Sequence, residues 1–259
     1  MSVYIIGDLH LSFNTDKPMD IFGKNWEGHE VKIANNWKEK VKPDDTVILA
    51  GDFSWATYIE ETYLDFKYIN ELPGNKILLK GNHDYWWTTI TSMKRYLQEN
   101  NFNNINFLYN NSFLLEDKII VGTRGWPLLD IENSEKMINR EAARLELSIK
   151  DGIEKYGNDK QIISIMHYPP ILKTSMKNEY TYDSPFLDIM KKYNIEKCYY
   201  GHLHSNSHRD AIEGNVEGIE FKLISSDYTN FNIIEIWQKI ENMLKYLSVS
   251  RLSRVQKSY

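Results

Sequence analysis

Short apolar runs rich in β-branched residues recur along the chain and end in polar residues: Val3–Ile6, Thr46–Ala50, residues 76–79, Gln161–Met166 and Lys197–Tyr200. Apolar residues at successive positions suit strands covered on both faces. Between these runs the apolar spacing changes to that of a helix. Residues 55–71 carry Ile59, Tyr63, Phe66 and Ile69 at such intervals, and residues 88–98 and a long stretch 134–156 behave alike. Strand alternating with helix predicts a layered α/β fold.

Two segments interrupt the alternation. Residues 113–123 read as a hairpin turning at Glu116, Asp117 and Lys118, and residues 218–236 as a second pair around 227–230. Both predict a mixed sheet, or two stacked sheets. The asparagine-rich stretch 100–111 reads as loops around one short strand, Ile105–Leu108. No internal repeat or long Pro, Gly or Ser linker divides the chain, so one domain is expected over residues 1–238. The tail, 239–259, spaces Ile240, Met243, Leu244 and Leu247 as a helix would and carries five cations against one acid. That gives +4 and leaves −9 for the rest of a chain of net charge −5. A terminal helix packed on its own domain is the weightier reading, and a docking or homo-oligomerisation arm the alternative.

The hydrophobic content of 42% supplies a core and excludes global disorder. A mildly acidic chain lacks the basic footprint that nucleic acid or an anionic membrane requires, so neither is an expected partner. The single cysteine, Cys198, cannot form an internal disulfide and reads as a buried core thiol in a reducing compartment. The first ten residues lack a signal peptide's basic lead and long apolar stretch, and no run approaches the roughly 18 apolar residues of a spanning helix. A cytoplasmic location is expected.

Five of the seven histidines close predicted strands, each beside carboxylates, amides or glycines. In order these are Gly7-Asp8-Leu9-His10, Gly51-Asp52, Gly81-Asn82-His83-Asp84, His167-Tyr168-Pro169 and Gly201-His202-Leu203-His204. Strand ends are where α/β folds place their chemistry. A histidine two residues after a carboxylate lets both side chains face one point, which is a metal-ligand arrangement. Singly each motif is modest evidence; all of them at strand ends leave accident little room.

With those motifs the chain resembles the calcineurin-like metallophosphoesterase superfamily over residues 3–204. The resemblance implies a four-layer α/β/β/α fold, two stacked mixed sheets flanked by helices, with a dinuclear metal centre at the strand ends. It implies Asp8, His10 and His204 on one metal, Asn82, His167 and His202 on the other, and Asp52 bridging both. The donor set favours first-row divalent ions, with Mn, Fe or Zn the expected pair. A metal-bridging hydroxide would attack the phosphorus, and His83 would protonate the leaving alkoxide or steady its charge.

Two positions depart from the family pattern. Where many relatives carry an acid and an arginine, three and four residues after the bridging Asp, this chain has Trp55 and Ala56. Asp84 is the adjacent substitute for the acid that orients His83, and Arg124, just past a predicted strand, is the candidate phosphate clamp because a guanidinium fork suits phosphate. Trp55, Tyr85, Trp86, Trp87 and Trp126 crowd the motifs; core packing is the weightier reading, and stacking on a base or aromatic leaving group the alternative. His29 and His208 lie outside the motifs; for His208, close behind Gly-His-x-His, exposure to solvent is the weightier reading and contact with substrate the alternative.

The function expected is hydrolysis of a small phosphate mono- or diester. The alternatives are an inactive binding module on the same scaffold, against which the complete ligand set argues, and a nuclease, which the −9 body disfavours. Substrate choice is expected in residues 168–183 and the aromatic cluster.

Overall fold

The structure, a computed structural model, describes residues 1–128, 131–173, 180–181 and 184–237. The basic tail expected over 239–259 lies outside the described residues. In chain order the elements are β1 (Val3–Ile6), α1 (His29–Lys40), β2 (Thr46–Ala50), α2 (Tyr63–Glu71), β3 (Asn75–Leu79), α3 (Ile90–Glu99), β4 (Ile105–Leu108), β5 (Phe113–Leu115), β6 (Lys118–Thr123), α4 (Ile131–Tyr156), β7 (Gln161–Met166), β8 (Leu172–Lys173), β9 (Tyr180–Thr181), α5 (Pro185–Lys192), β10 (Lys197–Tyr200), β11 (Gly214–Val216), β12 (Ile219–Leu223) and β13 (Ile234–Trp237).

Two mixed sheets stack face to face. One runs β13-β1-β2-β3-β4, the other β11-β12-β10-β7-β6-β5, and β8 pairs with β9 apart from both. In the first, β1 to β4 are mutually parallel and β13 is antiparallel; in the second, β12, β10, β7 and β6 are parallel, with β11 and β5 antiparallel at the edges.

The central strands, among them β1, β2 and β7, are apolar at almost every position because both of their faces are buried. Tyr4, Ile6, Val47 and Leu49 face the cluster under α1, α2 and α3, whereas Val3, Ile5, Ile48 and Ala50 face the other sheet. In β7, Ile163 and Ile165 point between the sheets, while Ile162 and Met166 pack against the cluster under α4 and α5. The layers are therefore α/β/β/α, as the resemblance implies. No helix among the described residues is long and apolar enough to cross a membrane.

Register brings the motifs level. Ile6, Leu49 and Leu78 are paired across β1, β2 and β3. Thr123, Met166 and Tyr200 are paired across β6, β7 and β10. Each parallel strand thus releases its next residues at one carboxyl edge. The sheets meet there, where the Gly7 N–H donates to the Ile224 carbonyl at 2.8 Å.

Two local expectations change. The hairpin at residues 113–123 forms as β5 and β6, but the second pair does not: β12 and β13 lie in different sheets, and the segment between them crosses to pair β13 with β1. The helix expected from residue 55 starts at Tyr63, after a 3-10 turn Ile59–Thr62. The Trp55 N–H is used instead to donate to the Leu11 carbonyl at 2.9 Å, which keeps residues 54–56 extended beside the loop after β1.

Candidate metal centre

The seven expected ligands converge at the shared edge. Asp8, His10 and His204 bring one oxygen and two ring nitrogens within 4.8 Å of one another, and Asp52, His167 and His202 form a second triad of the same kind. Asn82 joins the second, its Oδ1 2.7 Å from His167 Nε2. Asp52 Oδ2 faces both groups, 3.7 Å from His10 Nε2 and 3.5 Å from His167 Nε2.

The backbone is bent to achieve this. Asp8, His10, Asp52 and His202 have φ of 59°, 47°, 48° and 74°, a left-handed region uncommon for residues with a side chain. The motif glycines make room for the ligands. A Cβ on Gly81 would strike the Asp52 backbone nitrogen and carboxylate, and one on Gly201 would lie 2.5 Å from Asp8 Oδ2.

Outer partners set which nitrogen faces inward. His167 Nδ1 donates to the Ala50 carbonyl at 3.1 Å, and His204 Nδ1 donates to Asp227 Oδ1 at 2.8 Å, so in both rings Nε2 points into the centre. The His202 N–H lies 3.1 Å from each Asp8 oxygen.

Without cations the centre balances its charge with protons. Burial, then the Asp8 charge, pushes Asp52 up to about 8. Burial works against charging His204, but Asp8 and Asp227 outweigh it and raise the ring to about 10. The same imidazolium, with His167 and His10, overcomes burial at Asp8 and holds it below the ordinary carboxylate range. Burial lowers His10 and His167, and takes His202 down to about 3.

The donor set fits divalent cations. Asp52 Oδ2 is buried without a hydrogen-bond partner, and the Nε2 atoms of His10 and His204 face each other at 3.2 Å. So close an approach of two ring nitrogens needs a proton or a cation between them, and mixed imidazole, carboxylate and amide donors suit first-row ions.

The family model for calcineurin-like phosphoesterases matches residues 1–206. The chain belongs to that family. Among solved structures, the phosphopantetheinyl hydrolase of Mycobacterium tuberculosis aligns with a TM-score of 0.51 at 11% identity, over 92% of this chain and 96% of that one. A Thermus thermophilus protein aligns with a TM-score of 0.50 at 9% identity, over 90% and 96%. At these identities the likeness is one of fold. Gene 66 protein of Mycobacterium phage L5 is 29% identical over 83 residues, 32% of this chain, and the match spans 40% of the phage protein.

In this phosphoesterase an indole occupies the place of the usual acid beside His83. The Trp55 ring lies 4.3 Å from His83 and stacks on His10 at 5.0 Å and 24°. The His83 N–H donates to Asp52 Oδ1 at 2.8 Å, but its ring Nδ1 is buried and unpartnered. Burial, then neighbouring imidazoles, pushes His83 down to about 4.

Asp84 does not substitute for the missing acid. Its Oδ1 accepts from Phe53 N, Ser54 N and Trp86 Nε1 at 2.9, 3.2 and 3.0 Å, and its Oδ2 accepts from Gly81 N at 2.7 Å. Oδ1 ties the loop after β2 to the loop after β3, and Oδ2 closes the latter on itself. Arg124 stands outside both triads, 3.9 Å from Glu141 and stacked 4.7 Å over Trp126. Of the aromatic cluster, Trp86 is core and Tyr85 is exposed, while Trp55 faces the centre. There it helps line a cavity of about 300 Å³ with Met19, Phe22, Trp26, His10 and His83.

Three residues join the site without a motif. Asp227, expected only as part of a turn, accepts from His204 and, through Oδ2, from Ser205 N at 3.0 Å. His208 is half-buried rather than free in solvent: its side chain is 24% exposed, and Nε2 lies 3.2 Å from Asp227 Oδ2. Trp26 packs edge-on to His10 and His204. Asp227 follows a strand closely, as the motif residues do, and that is the one signal that could have marked it.

Proposed function

We propose that the chain hydrolyses a small phosphate ester at a centre of two divalent ions, one held by Asp8, His10 and His204, the other by Asn82, His167 and His202, with Asp52 shared. The observation that carries this reading is the unpartnered, buried Asp52 Oδ2 between two histidine-carboxylate triads. When bound, such ions polarise phosphoryl oxygens and make a water nucleophilic near neutral pH.

The chain's own residues supply the rest. Ala50 and Asp227 hold protons on the outer nitrogens of His167 and His204 and leave the inner ones free to ligate. His83 is neutral at pH 7, so what it offers a departing oxygen is the hydrogen on a ring nitrogen. Trp55 packs against that ring at a tilt, 4.3 Å between centroids, where a charge would otherwise hold it. The cavity beside His10 and His83, walled by Met19, Phe22, Trp26 and Trp55, excludes water from one side of the reacting group and suits an apolar or aromatic portion of the ester. A polynucleotide fits this apolar wall and the acidic body poorly.

A panel of mono- and diesters assayed with Mn, Fe, Zn and Mg tests the proposal. Hydrolysis that needs added metal, stops with chelator and favours apolar or aromatic esters is expected. A metal-loaded chain that turns over no ester in the panel would overturn it.

A further inference from the structure

A second cavity, of about 210 Å³, opens at the ends of β3, β4 and β6 against the flank of α4, and Lys80, Trp87, Arg124, Arg140, Glu141 and Arg144 line it. Its position follows from topology. β4 neighbours β3 and β6 neighbours β7, so the cavity lies about one strand spacing, roughly 4.8 Å, beyond the strands that present Asn82 and His167. The chain links the two places directly: Lys80 precedes Gly81-Asn82, and Tyr168, next after His167, donates its N–H to the Arg124 carbonyl at 2.9 Å.

Charge in the cavity is one-sided. Three guanidiniums share the buried Glu141 carboxylate, with Arg144 at 2.6 Å, Arg140 at 3.4 Å and Arg124 at 3.9 Å. The other Glu141 oxygen accepts from the Thr123 hydroxyl at 2.7 Å. Among the described residues one carboxylate thus answers three arginines, and Lys80 adds a cation with no ion-pair partner there. Arg124 and Arg144 are 15% and 27% exposed, and excess charge held partly away from water is costly unless an opposite charge meets it.

Unmet hydrogen-bond donors point the same way. Arg124 Nε and Trp87 Nε1 are buried without a partner, and Trp87 is only 8% exposed. The Asn110 side-chain oxygen is also unpaired in this wall, and rotation of the amide presents its NH2 group instead. A buried N–H normally has an acceptor. Planar guanidiniums match the oxygens of a phosphate-type anion in pairs, and an indole N–H can only donate. We infer that this cavity is a second oxyanion subsite, which takes a phosphate-type group beside the one at the metal centre. As part of the substrate site it rests on the phosphoesterase reading; as an anion site it does not.

Calorimetric titration of inorganic phosphate into the metal-loaded full chain tests the cavity itself, with Trp87→Phe and Arg140→Gln as variants. Trp87→Phe keeps an aromatic ring and removes one N–H; Arg140→Gln removes a half-exposed cation. The expected result is a phosphate-binding event in the wild type that weakens about 10-fold or more in each variant, the usual size of a lost hydrogen bond to a charged group. Phosphate affinity identical in all three proteins would overturn the subsite. Two nitrophenyl phosphates, one with a further phosphate on the ring, then separate the sources. A KM raised more for the bisphosphate than for the monoester assigns the anion to the substrate. Equal changes in KM, with phosphate affinity still lowered, assign it to free phosphate. No turnover of either ester would sink the esterase reading and leave the titration to decide the cavity.

Discussion

A carboxylate that belongs to no motif, Asp227, decides how His204 is presented. It accepts from His204 Nδ1 and so turns Nε2 toward Asp8 and His10. Outer partners of this kind typically carry 10- to 100-fold in metal affinity. Asp227→Asn is expected to weaken metal binding by about that factor in an equilibrium titration, and unchanged affinity would mean the ring is oriented by something else. His83 differs because, in the proposed function, it meets the reacting group rather than the ions. His83→Asn should keep its metals and lose about 10- to 100-fold on an alkyl ester, the size of a lost hydrogen bond to a developing charge, but much less on a nitrophenyl ester whose phenolate leaves unaided. Equal losses on both esters would instead favour stabilisation of charge on the phosphoryl group. At this scale the ligands were legible because they gather just past strand ends, with Asp8, Asp52, Asn82 and His202 each directly after a glycine, and Gly81 and Gly201 leave room for Asp52 and Asp8. Asp227, His208 and Trp26 were not, since they reach the centre through contacts between distant parts of the chain.

Loops after β2 and β3 act as one element because Asp84 joins them. Asp84→Ala would leave four buried N–H groups without their acceptor, each worth about 1–3 kcal/mol if unmet. Partial rescue by water still leaves a loss of at least about 3 kcal/mol, or roughly 6–12 °C in Tm for a chain of this size. A melt within 2 °C of wild type would deny the joining role. The strands at this scale could be read because burial on both faces makes them continuously apolar. Their pairing could not. β12 and β13 look like hairpin partners locally, yet β12 is held by β10 and β11 and β13 by β1, a choice set by the stacking of two sheets. The late start of α2 has a similar origin, since Ser54 forms a parallel bridge with Leu11, far away in the chain.

Across the whole molecule, the centre's charge balance makes stability of the metal-free chain depend on pH. The His204 pKa is raised from 6.5 to about 10, so its pairing with Asp8 and Asp227 stabilises fully below 6.5 and is lost as pH rises through about 10. Asp52, raised from 3.8 to about 8, keeps a proton that the unfolded chain has already released, so it too favours the fold less as pH rises through that range. The metal-free Tm is therefore expected to fall between pH 6.5 and 10, and bound divalent ions, which replace those protons, should flatten the slope. A metal-free Tm that is level or rising over that range would contradict the proton balance. The most direct test of the two-ion centre is hydrolysis of a nitrophenyl phosphate by the metal-stripped full chain as divalent metal is added back in measured equivalents. Activity should rise to saturation at two equivalents per chain. Saturation at one equivalent, or activity indifferent to metal, would contradict a centre built around Asp52.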